Sequence, residues 1–282
     1  MSDLRDRVDA RIRVWRVAEE RRIATASSVI VFGRRHGQPV VVKVIEHGGD
    51  EWKSGRILDA FDGHGVVRVY DYVDGALLLE QLSPGHAVAT VVANESDDAA
   101  TAVLADVIRR MAPRTTGAVV PTVQHWGEGF ARYLGSGDDQ LQARLVQDAH
   151  RTYAKLCASQ TRVRLLHGDL QHYNVLFDAG RGWVAVDPKG VVGELEYEIG
   201  AALRNPYDRP RLFADPSIVR KRIERFVREL GLDAARVASW AFAQAVLSAI
   251  WSVEDGSRVA PEDGRLTLAS TLRRMTGGSP DA

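Results

Sequence analysis

Between residues 24 and 82 the apolar positions fall in short β-branched runs, "SSVIVFG", "PVVVKVI", "VVRVYDY" and "ALLLEQL", each bounded by glycine or polar residues. Runs of this length and composition predict strands. Asp74-Gly75, between the last two, predicts a tight hairpin, because both residues tolerate the positive φ that a type I′ turn demands. One segment breaks the pattern: "DEWKSGRILDAF" at 50–61 has helical spacing. Ahead of the strands, Leu4, Val8, Ile12, Trp15 and Val17 stand among arginines, and residues 4–22 read as one amphipathic helix packed onto the strand-rich region.

After "LSPG" at 82–85 the period lengthens. Helices are predicted over 99–111, stopped by Pro113, and over 139–158, with Leu141, Leu145, Ala149, Tyr153 and Leu156 on one face. Two short strands, "NVLFD" and "GWVAVD", are joined by "AGRG". Helices resume over 216–230, ended by Gly231, and over 233–254, and the tail "TGGSPDA" is expected to be disordered. The pattern defines an α+β protein of two lobes. The first, 1–82, is a small antiparallel sheet with one inserted helix; the second, 83–282, is larger, mainly helical and carries a strand pair.

Composition narrows the picture without changing it. Lys+Arg 37 balances Asp+Glu 37 and 45% of the residues are hydrophobic, so no polyelectrolyte surface calls for nucleic acid or a membrane as partner. Cys157 is the single cysteine, which excludes an intrachain disulfide framework and a cysteine-held zinc. Neither a leader-like segment nor a membrane-length apolar run is read, and a reducing cytoplasmic setting is the expectation.

The chemistry is concentrated in "LLHGDLQHYNVLFDAGRGWVAVDPKG", residues 165–190. A strand, a turn and a strand fold the chain back between Asn174 and Asp187, which predicts that the two face one point. Their hard oxygens suit Mg²⁺, an ion usually held by one or two protein ligands together with water and phosphate oxygens. Asp169, five residues before Asn174, is the candidate base for an attacking hydroxyl. His167 is read as a brace for the loop rather than a group that titrates in the reaction. A base with two metal ligands is the division of labour that phosphoryl transfer needs. Upstream, Lys43 is a charge inside the β-branched run "PVVVKVI", a costly position unless the charge serves something.

These motifs resemble the kinase-like fold and, more narrowly, the aminoglycoside phosphotransferase family in its streptomycin and hydroxyurea branch. "HGDLQHYNVL" and "VAVDPKGVVGE" carry the likeness, with D-P-K-G where protein kinases have D-F-G; "YEIGAALRNP" and "WAFAQAVLSAIWSVEDG" extend it. The resemblance implies an ATP-dependent kinase of the bilobal protein-kinase-like fold, with ATP and Mg²⁺ as cofactors and a small-molecule hydroxyl acceptor, cationic aminoglycosides among the candidates. It implies that Lys43 contacts the nucleotide phosphates and pairs with a helix glutamate, for which Glu51 is the candidate. Ser27 and Ser28, in the turn before the first strand, are candidates for phosphate contact, although that lobe has no G-x-G-x-x-G. Glu80, Gln81 and Leu82 occupy the connector whose backbone would meet adenine.

The acceptor is less legible. Glu194, Glu196 and Glu198 make an acidic cluster, with Asp208, Glu254 and Asp255 as candidate neighbours, and carboxylates there would attract guanidinium or amino groups. Glu194, Glu198 and Glu254 are the substrate candidates. The competing readings are a kinase for another metabolite, hydroxyurea or a sugar amine, and a nucleotide-binding pseudokinase.

Overall fold

A computed structural model describes residues 2–94, 96–111 and 120–276. The helix predicted over 4–22 is shorter than expected: it spans Ser2–Trp15, and the chain then enters strand β1, Ala18–Ala24. β1 reads AEERRIA and is exposed along its whole length, so no apolar alternation marked it. Backbone pairing with the next strand makes it a strand.

The predicted strands follow as β2 (Ser28–Arg35), β3 (Gln38–Ile45), β4 (Val69–Val73) and β5 (Ala76–Glu80), in an antiparallel sheet of order β1-β2-β3-β5-β4. Asp74-Gly75 turns the β4–β5 hairpin, with Val73 opposite Ala76 and Gly75 at φ 79°. His36-Gly37 turns β2 into β3, both at positive φ. The helical segment at 50–61 divides into a 3₁₀ turn, Asp50–Lys53, and a helix, Ser54–Phe61.

Strand alternation gives the sheet two distinct faces. Val40, Val42 and Val44 of β3, Val31 of β2 and Ala76 and Leu78 of β5 form a core with Val8 and Trp15 of the N-terminal helix, onto which Leu4 and Ile12 also pack. The intervening residues, Ile30, Phe32, Val41, Lys43 and Leu79, point to the opposite face and line a cavity.

Past the sheet come three short strands that no sequence pattern announced: β6 (Pro84–Ala87), β7 (Arg164–Leu166) and, later, β10 (Val191–Gly193). Between the last two lie the predicted pair, β8 (Val175–Asp178) and β9 (Gly182–Ala185). β6, β8 and β9 form one antiparallel sheet and β7 pairs with β10. Helices occupy Asp97–Arg110, Ala143–Ala158, Pro216–Leu230 and Ala234–Glu254 as predicted to within a few residues; Leu195–Leu203 and Gly264–Met275 are among those not foreseen. Gly231 ends its helix in the left-handed conformation at φ 68°, and Pro113 and the last six residues of the tail lie outside the described residues.

Packing groups the chain into two compact units. One gathers 1–87, 107–118 and 174–190; the other gathers 88–106, 119–173 and 191–282. Among the described residues no helix is long and apolar enough to cross a membrane.

Candidate active site

The cavity of the first unit has a volume of about 300 Å³. The sheet residues named above line it together with Arg21, Val67 and Glu80, residues 81–85, and Leu176, Val186 and Asp187. β8 and β9 are held against the rest of the unit by the β6 pairing and by backbone bonds, among them Ala185 N–H to Gly65 O and Val67 N–H to Ala185 O, each at 2.8 Å. Glu80 adds a side-chain link, its carboxylate meeting Arg181 from the β8–β9 turn while also accepting Arg68 N–H at 2.8 Å. Glu80 N–H is itself committed to Arg68 O, and Leu82 lies on the cavity edge.

Lys43 is buried, 6% exposed, and its ammonium lies 2.9 Å from Glu51 Oε2 and 2.8 Å from Asp187 Oδ1. Burial alone would favour the neutral amine, but the carboxylates of Asp187 and Glu51 outweigh it and hold the lysine pKa above its ordinary value. Glu51 sits in the 3₁₀ turn, one element earlier than the helix expected to carry it. Asp187 holds a left-handed backbone, φ 58°, uncommon outside glycine and a feature that concentrates at functional sites. Its predecessor Val186 donates N–H to Asn174 O at 2.8 Å, so the chain ends carrying Asn174 and Asp187 are fastened at the backbone.

The serines fare differently from expectation. Ser28 is buried and its N–H donates to Thr25 Oγ1 at 3.0 Å, with the two hydroxyls 2.9 Å apart. Ser28 therefore closes the turn, and neither it nor the exposed Ser27 is among the residues lining the Lys43 cavity.

In the second unit the loop of Asp169 is fixed from beneath. Glu198, 1% exposed, accepts N–H of His167 at 2.8 Å and of Gly168 at 3.1 Å. Burial pushes the Glu198 carboxyl up to about 7, against the pull of those donors and of Arg164. His167 is also buried, and its Nδ1 accepts Asp169 N–H at 3.3 Å, the bracing role expected of it. Arg204, unremarked in the sequence, places its guanidinium 3.8 Å from Asp169 Oδ1 and donates to Gln244 Oε1 at 3.1 Å. Burial lowers the Arg204 pKa while Asp169 opposes that change.

The acidic candidates do not form one exposed surface. Glu194 is 2% exposed and engages Arg236 at 2.5 Å as well as the Trp240 indole. Glu198 is consumed by the loop backbone. Both are buried and bonded within the second unit, whereas the expectation was of carboxylates open to a cationic substrate. Glu254 pairs with Arg132 at 3.0 Å. Trp240 is fully buried.

Fold and site together define a kinase-like protein. Solved structures agree on the fold: a thermostable aminoglycoside phosphotransferase in complex with ADP and hygromycin B aligns with TM-score 0.68 at 15% identity, over 96% of this chain and 98% of that one. A choline/ethanolamine kinase family protein from Mesorhizobium loti aligns with TM-score 0.65 at 14% identity, over 99% and 96% of the two chains. The family is narrower still. A family profile described as aminoglycoside/hydroxyurea antibiotic resistance kinase matches residues 14–256, and the chain belongs to that family. It is 33% identical to a streptomycin 6-kinase of Streptomyces glaucescens, over 77% of this chain and 71% of that one. To a streptomycin 3''-kinase of Klebsiella pneumoniae it is 31% identical, over 86% and 91%. A hydroxyurea phosphotransferase of Kitasatospora aureofaciens is 31% identical over 76% of this chain and 62% of its own length.

Proposed function

We propose that the protein transfers the γ-phosphoryl group of ATP to a hydroxyl of a small molecule, with a streptomycin-like aminoglycoside as the first candidate acceptor. The observation that carries the reading is Lys43, a buried ammonium held between Glu51 and Asp187 at a cavity that also presents the apolar side chains of Ile30, Phe32, Val41, Leu79 and Leu176. A flat nucleobase suits the apolar end, and polyphosphate suits a fixed lysine. Identity above 30% to two streptomycin kinases supports the acceptor class.

Asp169 is assigned as the base, accepting the proton of the attacking hydroxyl, and Arg204 as the cation that orients it. Asn174 and Asp187 contribute an amide oxygen and a carboxylate, hard donors that fit Mg²⁺, with phosphate and water oxygens completing the set. When bound, the metal neutralises charge on the phosphates. Lys43 orients the same phosphates, and Glu51 keeps the lysine in place. The lobe 1–82 is assigned to nucleotide binding and 83–282 to catalysis and the acceptor, with residues 83–85, Leu176, Val186 and Asp187 of the latter completing the nucleotide cavity.

The test is ATP consumption against a panel of aminoglycosides, hydroxyurea and sugar amines, with the product mapped by mass spectrometry. Asp169→Asn is expected to abolish transfer and leave nucleotide binding intact. Full turnover by that variant overturns the assignment of the base, and silence across the panel overturns the acceptor class.

A further inference from the structure

Four residues after Asp169, the same loop carries Tyr173, whose ring meets that of Tyr207 from the turn after the helix Leu195–Leu203. Tyr173 and Tyr207 have ring centroids 4.8 Å apart with planes inclined at 38°. The Tyr173 hydroxyl donates to Asp208 Oδ1 at 2.5 Å. Tyr207 is 71% exposed, the most exposed of the large hydrophobic side chains among the described residues. The ring pair and the carboxylate make one exposed aromatic-acidic patch, with a planar apolar face and a hydrogen-bond acceptor side by side.

The turn that presents it is held firmly. Arg222, buried and paired with Asp97 at 2.5 Å, donates to Asn205 O at 2.6 Å and to Ala202 O at 3.1 Å. Asn205 Nδ2 donates to Ala201 O at 2.8 Å, and Arg209 N–H to Pro206 O at 3.0 Å. The exposed ring thus stands on a turn anchored at both ends. Its chemistry is an aromatic face beside a carboxylate, one oxygen of which is taken by Tyr173.

We propose that Tyr173, Tyr207 and Asp208 form an acceptor-recognition platform for a planar guanidinium group, with the ring face of Tyr207 against the cation and Asp208 at its edge. The inference rests on the kinase reading and names the chemical class that its acceptor side selects. A guanidinium is flat, delocalised and weakly hydrated, so it stacks on an aromatic face and offers a fork of N–H donors to a carboxylate. An ammonium has no plane to stack, and a urea has the plane without the charge. Arg209 is the neighbouring positive charge and opposes binding; Arg204 is engaged with Asp169. The platform therefore distinguishes ligands by charge and shape together.

Saturation-transfer NMR on the full chain, with methylguanidinium and its neutral isostere methylurea as probes, tests this directly. The wild-type protein is expected to give a methylguanidinium signal well above that of methylurea. Tyr207→Ala and Asp208→Asn each abolish the difference, Tyr207→Phe keeps it and Arg209→Ala enlarges it. In turnover, Tyr207→Ala raises KM for a guanidinium-bearing acceptor by roughly tenfold, leaving kcat and the ATP KM unchanged. Equal signals for the two probes, no signal from the wild type, or persistence through both substitutions overturns the platform; so does a loss of kcat at unchanged KM. Absence of acceptor turnover would count against the kinase reading alone, since the NMR comparison still decides the platform. Exposed positions make misfolding of these variants a minor concern, and retention of nucleotide binding checks it.

Discussion

Lys43 shows how much a single side chain discloses. A period of two through "PVVVKVI" puts Val40, Val42 and Val44 in the core and Lys43 with Val41 on the cavity side, so its charge and its direction were both legible. Replacing it by Met leaves Glu51 and Asp187 without the cation between them. The expected result is a fall in kcat/KM for ATP of roughly a hundredfold or more, read by steady-state kinetics, and unaltered kinetics would remove Lys43 from the site. Lys43→Arg is expected to rescue little, because a fork of donors does not occupy the place of a point charge. Arg204 was not legible: its meaning comes from a 3.8 Å approach to Asp169, and nothing in "ALRNP" marks that approach. Arg204→Met is expected to lower kcat by about tenfold with nucleotide affinity unchanged, and equal loss of both would point to a folding defect. The turn bonds of Ser28 were not legible for a related reason, since a serine in a turn bonds its own loop as readily as it bonds a ligand.

At the scale of elements, the helix Leu195–Leu203 holds the Asp169 loop through Glu198. Its carboxyl has an ordinary value of 4.5 and is raised to about 7 in the fold, chiefly by burial. Between those values the folded chain binds a proton that the unfolded chain releases. Its contribution to stability is therefore full below about 4.5 and lost as pH rises through 7. Melting temperature followed from pH 5 to pH 8, about the span of that titration, is expected to fall more steeply in the wild type than in Glu198→Gln; parallel curves would refute the assignment. The loop of D-P-K-G offers a steric test. Gly190 has φ +75°, and a β-carbon there would collide with Ile57 of the helix Ser54–Phe61. Gly190→Ala is expected to cost about 2–4 kcal/mol in chemical denaturation. Elements with apolar runs were read from the sequence, whereas β1, β6, β7 and β10, too short or too polar to show a pattern, owe their existence to partners distant in the chain.

For the molecule as a whole, the cavity lining comes entirely from one packing unit. Hydrogen exchange with and without a non-hydrolysable ATP analogue is therefore expected to slow at β2, β3 and the connector 81–85, and to do so equally in Asp169→Asn. At a nucleotide concentration one hundred times Kd, the linked stabilisation is about 2.7 kcal/mol. Protection confined to the second unit would contradict the location of the nucleotide. The family and the reaction class could be read from motifs, because H-G-D-x-x-x-x-N and D-P-K-G stand at fixed spacing in one short stretch; the acceptor could not, because no comparable short stretch marks it.

The three-segment composition of the first unit bears on how the protein is made. Residues 174–190 belong with 1–87, so the strands that complete the first unit emerge from the ribosome only after the whole of the other unit's first two segments. The nascent N-terminal portion, with its sheet built but β8 and β9 still unsynthesised, must wait with one side uncovered. Vectorial folding, one finished unit followed by the next, is closed to this chain. A fragment ending at residue 87 is expected to need a chaperone, or the separately supplied strand pair, to stay in solution.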